Sequence, residues 1–281
     1  MNDIATVLKG EFRHPRNMHQ GSGGSIHNDA TASKLGFKGG TVPGSVHMDQ
    51  FVPLILQTYG EAWFECGDIS TYFTQATVDN EAVRVELASG PDRARLTMFN
   101  EPGAVILEGT ASLAAPDQGS ELLKRMEMQE PVKPGRQRIL GDIKVGDENR
   151  DLIVRVPIEH LKRTLENITE TVPAYADNIL PPSQVVHLAH LTRTSAMAKQ
   201  KPAVGLFGAL QVQQLRGPFR AGVDYRARTR ILKLTESPRT ENVWYDVTFQ
   251  EASGGDDVGA MLYCLRFMKA SSPLWAEQTA S

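Results

Sequence analysis

Twice along this chain a proline-led apolar helical stretch is followed by segments whose side chains alternate between apolar and polar. The first begins at Pro43-Gly44-Ser45 and reads as a helix over 45–59, with Ser45 as N-cap and Gly60 as its end. Val46, Phe51, Leu54, Ile55 and Leu56 give it an apolar side, and Pro53 should kink it. The second begins at Pro181-Pro182-Ser183 and reads as a helix over 184–199. Strand character follows the first at 69–78, 82–88, 93–99 and 104–113, and the second at 204–215, 223–234, 242–250 and 259–268. Val83, Val85 and Leu87 alternate with Arg84 and Glu86, while Val243, Tyr245, Val247 and Phe249 fall on one face. Period two means a sheet with one buried side. The outline is an internal duplication with little sequence identity between its halves.

At 281 residues, 41% hydrophobic and 22% charged, the chain has material for two units. The expected division is 1–115 for the first unit, 116–138 for a linker with a short polar helix at 121–128, 139–270 for the second unit, and a 271–281 tail. An edge strand is expected over 3–16, a strand over 152–156 and a helix over 159–168. A net charge of -3 gives no reason to expect nucleic acid or an anionic membrane as partner. Cys66 and Cys264 lie among apolar residues and read as two reduced core thiols. Residues 1–10 lack the features of a signal peptide, and no apolar run is long enough to span a bilayer, so a cytoplasmic location is expected.

The stretch around the first helix holds the chemistry. Residues 20–25 form a Gly/Ser loop, 29–36 read as a short helix with Asp29 as N-cap and Gly36 as C-cap, and 39–44 form a second glycine loop. A helix start behind a glycine turn presents free N–H groups to a carbonyl oxygen gaining negative charge. His27, on the loop before it, is the residue suited to proton transfer.

Ile26-His27-x-Asp29-x-x-Ala32-x-x-x-Gly36-Phe37-x-Gly39 resembles the signature of the MaoC-like (R)-specific enoyl-CoA hydratases and dehydratases. The family pattern runs Gly-Asp-x-Asn-Pro-Leu-His, a short helix, Gly-Phe, then His-Gly at the start of a long helix. His27 and Gly44 match it; Ser22 stands at the catalytic Asp position, Gly24 and Ser25 replace Asn-Pro, and Pro43 replaces the second His. The second half lacks the signature. The resemblance implies an α+β double hotdog, two long helices each wrapped by a curved antiparallel sheet, with chemistry in one half and the acyl pocket shaped by the other. It implies a hydratase or dehydratase acting on a coenzyme A or carrier-protein thioester, with no other cofactor and no metal. The alternatives are a hotdog thioesterase and a non-catalytic acyl-thioester binding protein. A homodimer is compatible with all three.

By that resemblance His27 is catalytic and Ser22 holds a water beside it, roughly 5 to 6 Å away. Gly44 and Ser45 supply oxyanion donors, and Asp29, His47 and Asp49 are weaker candidates, Asp49 as the carboxylate of a thioesterase. His14, His19, His187 and His190 match no metal spacing and read as core or surface residues. Arg226, Arg228 and Arg230 share one strand face and read as a solvated surface paired with acids, the alternative being contact with the phosphates of coenzyme A or with an acidic carrier protein.

Overall fold

A computed structural model describes residues 6–276. The first half contains β1 (Val7–Lys9), α1 (Asp29–Lys34), α2 (Gly44–Asp49), α3 (Val52–Tyr59), α4 (Trp63–Cys66), β2 (Asp68–Phe73), β3 (Val83–Ala88), β4 (Ala94–Asn100) and β5 (Val105–Ser112). After α5 (Glu121–Met128), the second half contains β6 (Glu148–Val154), α6 (Ile158–Leu165), α7 (Pro182–Leu191), α8 (Arg193–Ala196), β7 (Gly205–Gln214), β8 (Tyr225–Glu236), β9 (Thr240–Glu251), β10 (Asp257–Met268) and α9 (Pro273–Ala276). The beginning of the expected 3–16 strand lies outside the described residues; inside them the chain pairs at β1 and again where Arg13 meets Val83.

The strands form one antiparallel sheet in the order β1-β3-β4-β5-β2-β7-β10-β9-β8-β6. Outward from the β2–β7 junction, each half presents its own second, fifth, fourth, third and first strands. This identical order is the topological form of the duplication. β2 and β7 are paired from Asp68 with Gln213 to Tyr72 with Ala209. β2 ends at Phe73, short of the expected 78, because the Thr74 and Gln75 N–H groups both turn to the Ile106 carbonyl, at 3.0 and 3.2 Å.

Both long helices differ from expectation at their ends. α2 starts at Gly44, with Pro43 in the N-cap position and no side-chain cap, so Ser45 is a buried residue of the first turn rather than a cap. The helix divides at Gln50 and Phe51, which keep helical angles, and resumes as α3. Pro53 explains the division: it has no N–H for the Asp49 carbonyl. α7 likewise follows Pro181 and carries Pro182 in its first turn, where a missing N–H costs nothing. α7 and α8 together stop at Ala196, short of the expected 199. The N-cap role expected of Asp29 falls to Asn28, whose Oδ1 accepts the Thr31 N–H at 3.1 Å.

α2 and α7 pack against each other on the inner face of the sheet. Asp49 joins them, its Oδ1 accepting the Ser183 N–H at 2.8 Å. The inner core takes Val83, Val85 and Leu87 from β3 and Val243, Tyr245, Val247 and Phe249 from β9, all on the faces that alternation indicates. The outer face is also covered at the junction. Trp244, Leu262 and Cys264 point outward, and α5 lies over them with Leu122, so the linker helix is a packing element. Its N-cap Ser120 donates to Gln211 Oε1 at 3.0 Å, and Gln211 Nε2 donates to Asp68 Oδ2 at 2.6 Å. Arg226, Arg228 and Arg230 meet Asp151, Asp257 and Glu148 on the surface, where such pairs contribute little. Cys264 is buried and Cys66 half-buried, both as free thiols. No helix among the described residues is long and apolar enough to cross a membrane.

Burial pushes the Asp68 carboxyl up from 3.8 to about 8. The folded protein therefore holds a proton that the unfolded chain releases above about pH 4. The stability this contributes is full below pH 4 and is lost as pH rises toward 8. Chemical denaturation at pH 5 and pH 8 should show the parent losing stability across this interval. Asp68→Asn is expected to remove about 2–4 kcal/mol of that loss. Parallel profiles for the two proteins would refute the assignment.

Candidate active site

The signature loop is folded by three successive turns. The N–H groups of Ser22, Ser25 and Asn28 donate to the carbonyls of His19, Ser22 and Ser25, at 3.0, 3.3 and 3.1 Å. This winding leaves Ser22 exposed and turns Ser25 and His27 inward. The two glycine loops are zipped together. Thr41 N–H donates to the Ile26 carbonyl at 2.9 Å, and Asn17 Nδ2 donates to the His27 carbonyl at 2.8 Å. Gly40 is required here, since a Cβ would stand 2.3 Å from the His27 carbonyl oxygen. Asp29 serves the same contact, its Oδ1 accepting the Gly40 N–H at 2.7 Å.

The His27 side chain is oriented by this zipper. Its Nδ1 lies 2.7 Å from the Thr41 carbonyl oxygen. A carbonyl only accepts, so Nδ1 carries the hydrogen and Nε2 keeps its lone pair. Burial lowers the pKa of the ring from its ordinary value, against the opposing pull of the Thr41 carbonyl, so the neutral form persists below pH 6.5. Gly44 begins α2, and its N–H has no acceptor within the helix.

His27 and Gly44 line one cavity of about 290 Å³. Its walls are the zipped loops, the start of α2, the segment 73–77 beyond β2, and residues of α7, α8, β7 and β10 from the other half. It occupies the place where β2 and β7 cease to pair. His47 also lines it, but both ring nitrogens are committed. Gln50 Nε2 donates to Nδ1 at 3.3 Å, and Nε2 donates to Thr77 Oγ1 at 2.7 Å. Burial pushes His47 down to about 4, and it braces α2 against the 74–78 segment.

The structure thus brings His27, Gly44 and His47 together and leaves Ser22, Asp29, Ser45 and Asp49 outside the lining. Asp49 is fully buried between helices, and desolvation raises its pKa well above the carboxylate range, which the Ser183 bonds oppose. His14, at the surface, lies with Nδ1 3.1 Å from the Asn80 carbonyl oxygen. His19 has its ring 5.7 Å from that of His27, and His187 stacks on His160 at 4.9 Å. His190, assigned to core or surface by sequence, lines the cavity with a buried Nδ1 that has no partner among the described residues. Burial, and then Arg193, push His190 down to about 4. Ser25, His190 and Arg193 are among the lining residues that sequence reasoning did not assign to the site. A signal existed for two of them: His187, His190 and Arg193 recur every three residues, the spacing of one helix face. No group of three or more His, Cys, Asp or Glu residues able to hold a metal occurs among the described residues.

Solved structures decide the architecture. A MaoC domain protein dehydratase from Chloroflexus aurantiacus superposes with a TM-score of 0.64 at 11% identity, over 94% of this chain and 95% of that one. A conserved hypothetical protein from Mycobacterium tuberculosis, described as having a double hotdog fold, gives 0.61 at 13%, over 94% and 96%. The fold is a double hotdog. A MaoC-like dehydratase gives 0.57 at 13% over 95% and 99%, and at such identities the likeness concerns the fold alone. No family model matches the sequence. No curated protein matches it either. Within this double hotdog, the His27 cavity sits between the halves, at the start of the first half's helix and the end of the second's.

Glycine at 44 is a packing requirement of that cavity. A Cβ there would stand 2.8 Å from Phe73 Cζ and 3.0 Å from Cε1. Alanine would otherwise favour the helix by about 0.5–1 kcal/mol. Crowding a ring packed into the core costs more, about 1–3 kcal/mol. Gly44→Ala should therefore lower the melting temperature, and Phe73→Leu in the same chain should recover part of the loss. A Gly44→Ala protein as stable as the parent would show that the ring yields freely.

Proposed function

We propose that the chain hydrates an α,β-unsaturated acyl thioester, or dehydrates the corresponding β-hydroxyacyl thioester, in the His27 cavity. The observation that carries this reading is the 2.7 Å contact between His27 Nδ1 and the Thr41 carbonyl oxygen, which puts the hydrogen of the neutral ring on Nδ1 and the lone pair on Nε2, in the same cavity as Gly44, whose N–H has no acceptor within its helix. The thioester carbonyl accepts from Gly44, which stabilises negative charge delocalised from the α-carbon. Water adds to the β-carbon as His27 Nε2 takes its proton. The π electrons move to the α-carbon, and the same ring returns the proton there. One group then serves as base and acid in turn, in keeping with a serine at position 22 where the MaoC-like pattern has aspartate. The match at His27, Gly36-Phe37 and Gly44 supports membership of the MaoC-like hydratases. The substrate is a coenzyme A or carrier-protein thioester, with no further cofactor assigned.

Hydrolysis driven by Asp49 is the weaker alternative, because that carboxyl lies outside the cavity lining and burial favours its protonated form. His27→Ala should remain folded, with a melting temperature within a few degrees of the parent, and lose roughly 10²- to 10⁴-fold in turnover of a short enoyl-CoA. For the parent, the acid limb of kcat/KM should have its midpoint below pH 6.5, since the base must be neutral and its pKa is lowered. Loss of enoyl absorbance without free thiol supports hydration. Release of thiol assigns hydrolysis, and a midpoint above 6.5 removes His27 from the base role.

A further inference from the structure

We infer that the acyl group accepted by this cavity carries a carboxylate of its own, bound by Arg193; this rests on the acyl-thioester reading above. Arg193 opens α8 in the second half and lines the same cavity as His27 and Gly44. Its guanidinium lies over the Phe267 ring, 5.6 Å from the centroid, and donates to Gln200 Oε1 at 3.1 Å. Phe267 is fully buried among core residues, so this stacking holds Arg193 on the inner side of the sheet. No aspartate or glutamate lines the cavity, and no carboxylate lies within ion-pair distance of Arg193 among the described residues.

A half-buried cation without a counter-ion is costly, and a plain hydrocarbon chain gives it nothing in return. A carboxylate does, because the planar guanidinium offers parallel N–H donors to its two oxygens. His190, one turn earlier on the same helical run, lines the cavity beside it. A volume of about 290 Å³ suits a short chain. The substrate class is therefore the monothioester of a short unsaturated dicarboxylic acid, and the product its hydroxy derivative.

The other anion within reach is the carrier's phosphate. Arg266 faces the outer side of the sheet, 5.0 Å over the Tyr72 ring, and lines both this cavity and an outer groove. It marks the mouth, whereas Arg193 lies on the inner side. The two sources are separated by titrating the full chain with S-(3-carboxypropyl)-coenzyme A and S-butyl-coenzyme A. These thioethers are neither hydrated nor hydrolysed, so the result does not depend on turnover. The parent should bind the acidic thioether roughly 10- to 100-fold more tightly. In Arg193→Gln that ratio should collapse to about twofold or less. Arg193→Lys, which keeps stem and charge but not the planar fork, should show an intermediate ratio and carries the test should the glutamine variant fail to fold. Equal affinities in the parent, no binding of either thioether, or an equal loss for both in the variants overturns the inference; an equal loss assigns Arg193 to the phosphates. A collapsing ratio in a protein that turns over no enoyl thioester leaves this inference standing and overturns hydration.

Discussion

The pairing of β2 with β7 is the constraint on which the rest of the molecule depends. Five residue pairs, Asp68 with Gln213 through Tyr72 with Ala209, fuse two five-stranded halves into one sheet. Because those are the innermost strands of each half, the fusion sets α2 and α7 side by side and lets the Asp49 carboxyl reach the first turn of α7. Where the pairing stops, the backbones beyond Phe73 and before Ala209 form opposite walls of the cavity. Seam and site are consecutive parts of the same strand pair.

Polar groups buried along the seam are arranged to remain neutral. Asp68 takes one amide hydrogen from Gln211, which in turn accepts from Ser120, so the linker helix is tied to the sheet through a carboxyl raised by burial. Asp49 does the same for the helix pair. Neutral carboxyls of this kind avoid the large cost of buried charge and still pair with specific donors, which fixes how the halves meet.

Much of the fold was legible because it is written in local periodicity. β3 and β9 bury the alternating residues, α5 has the expected bounds, and Pro53 divides its helix as a missing N–H requires. His27 was legible through its place in a signature. Other features follow from tertiary contacts that no local pattern states. Ser45 does not cap because Pro43 already sets the extended angles before Gly44. Ser22 is carried outward by three turns whose phase the glycine-rich sequence leaves free. Asp29 is drawn to Gly40, eleven residues away, and Asn28 takes its cap. His190 and Arg193 reach the cavity from the other half, so their part in it became visible only when the seam was in place.

Fusing two halves through their inner strands leaves a sheet with two outer margins. β1 is three residues long, and β6, at the opposite end, loses register between Asn149 and Leu152, with Asp151 at φ 66°. Glu148, Arg150 and Asp151 place charge along that margin. Among the described residues, neither side offers a long, even row of free peptide groups to another strand. A ten-stranded sheet that stays open therefore has both borders poorly suited to growth, and the same irregularity that breaks the register of β6 guards the chain against stacking into fibres.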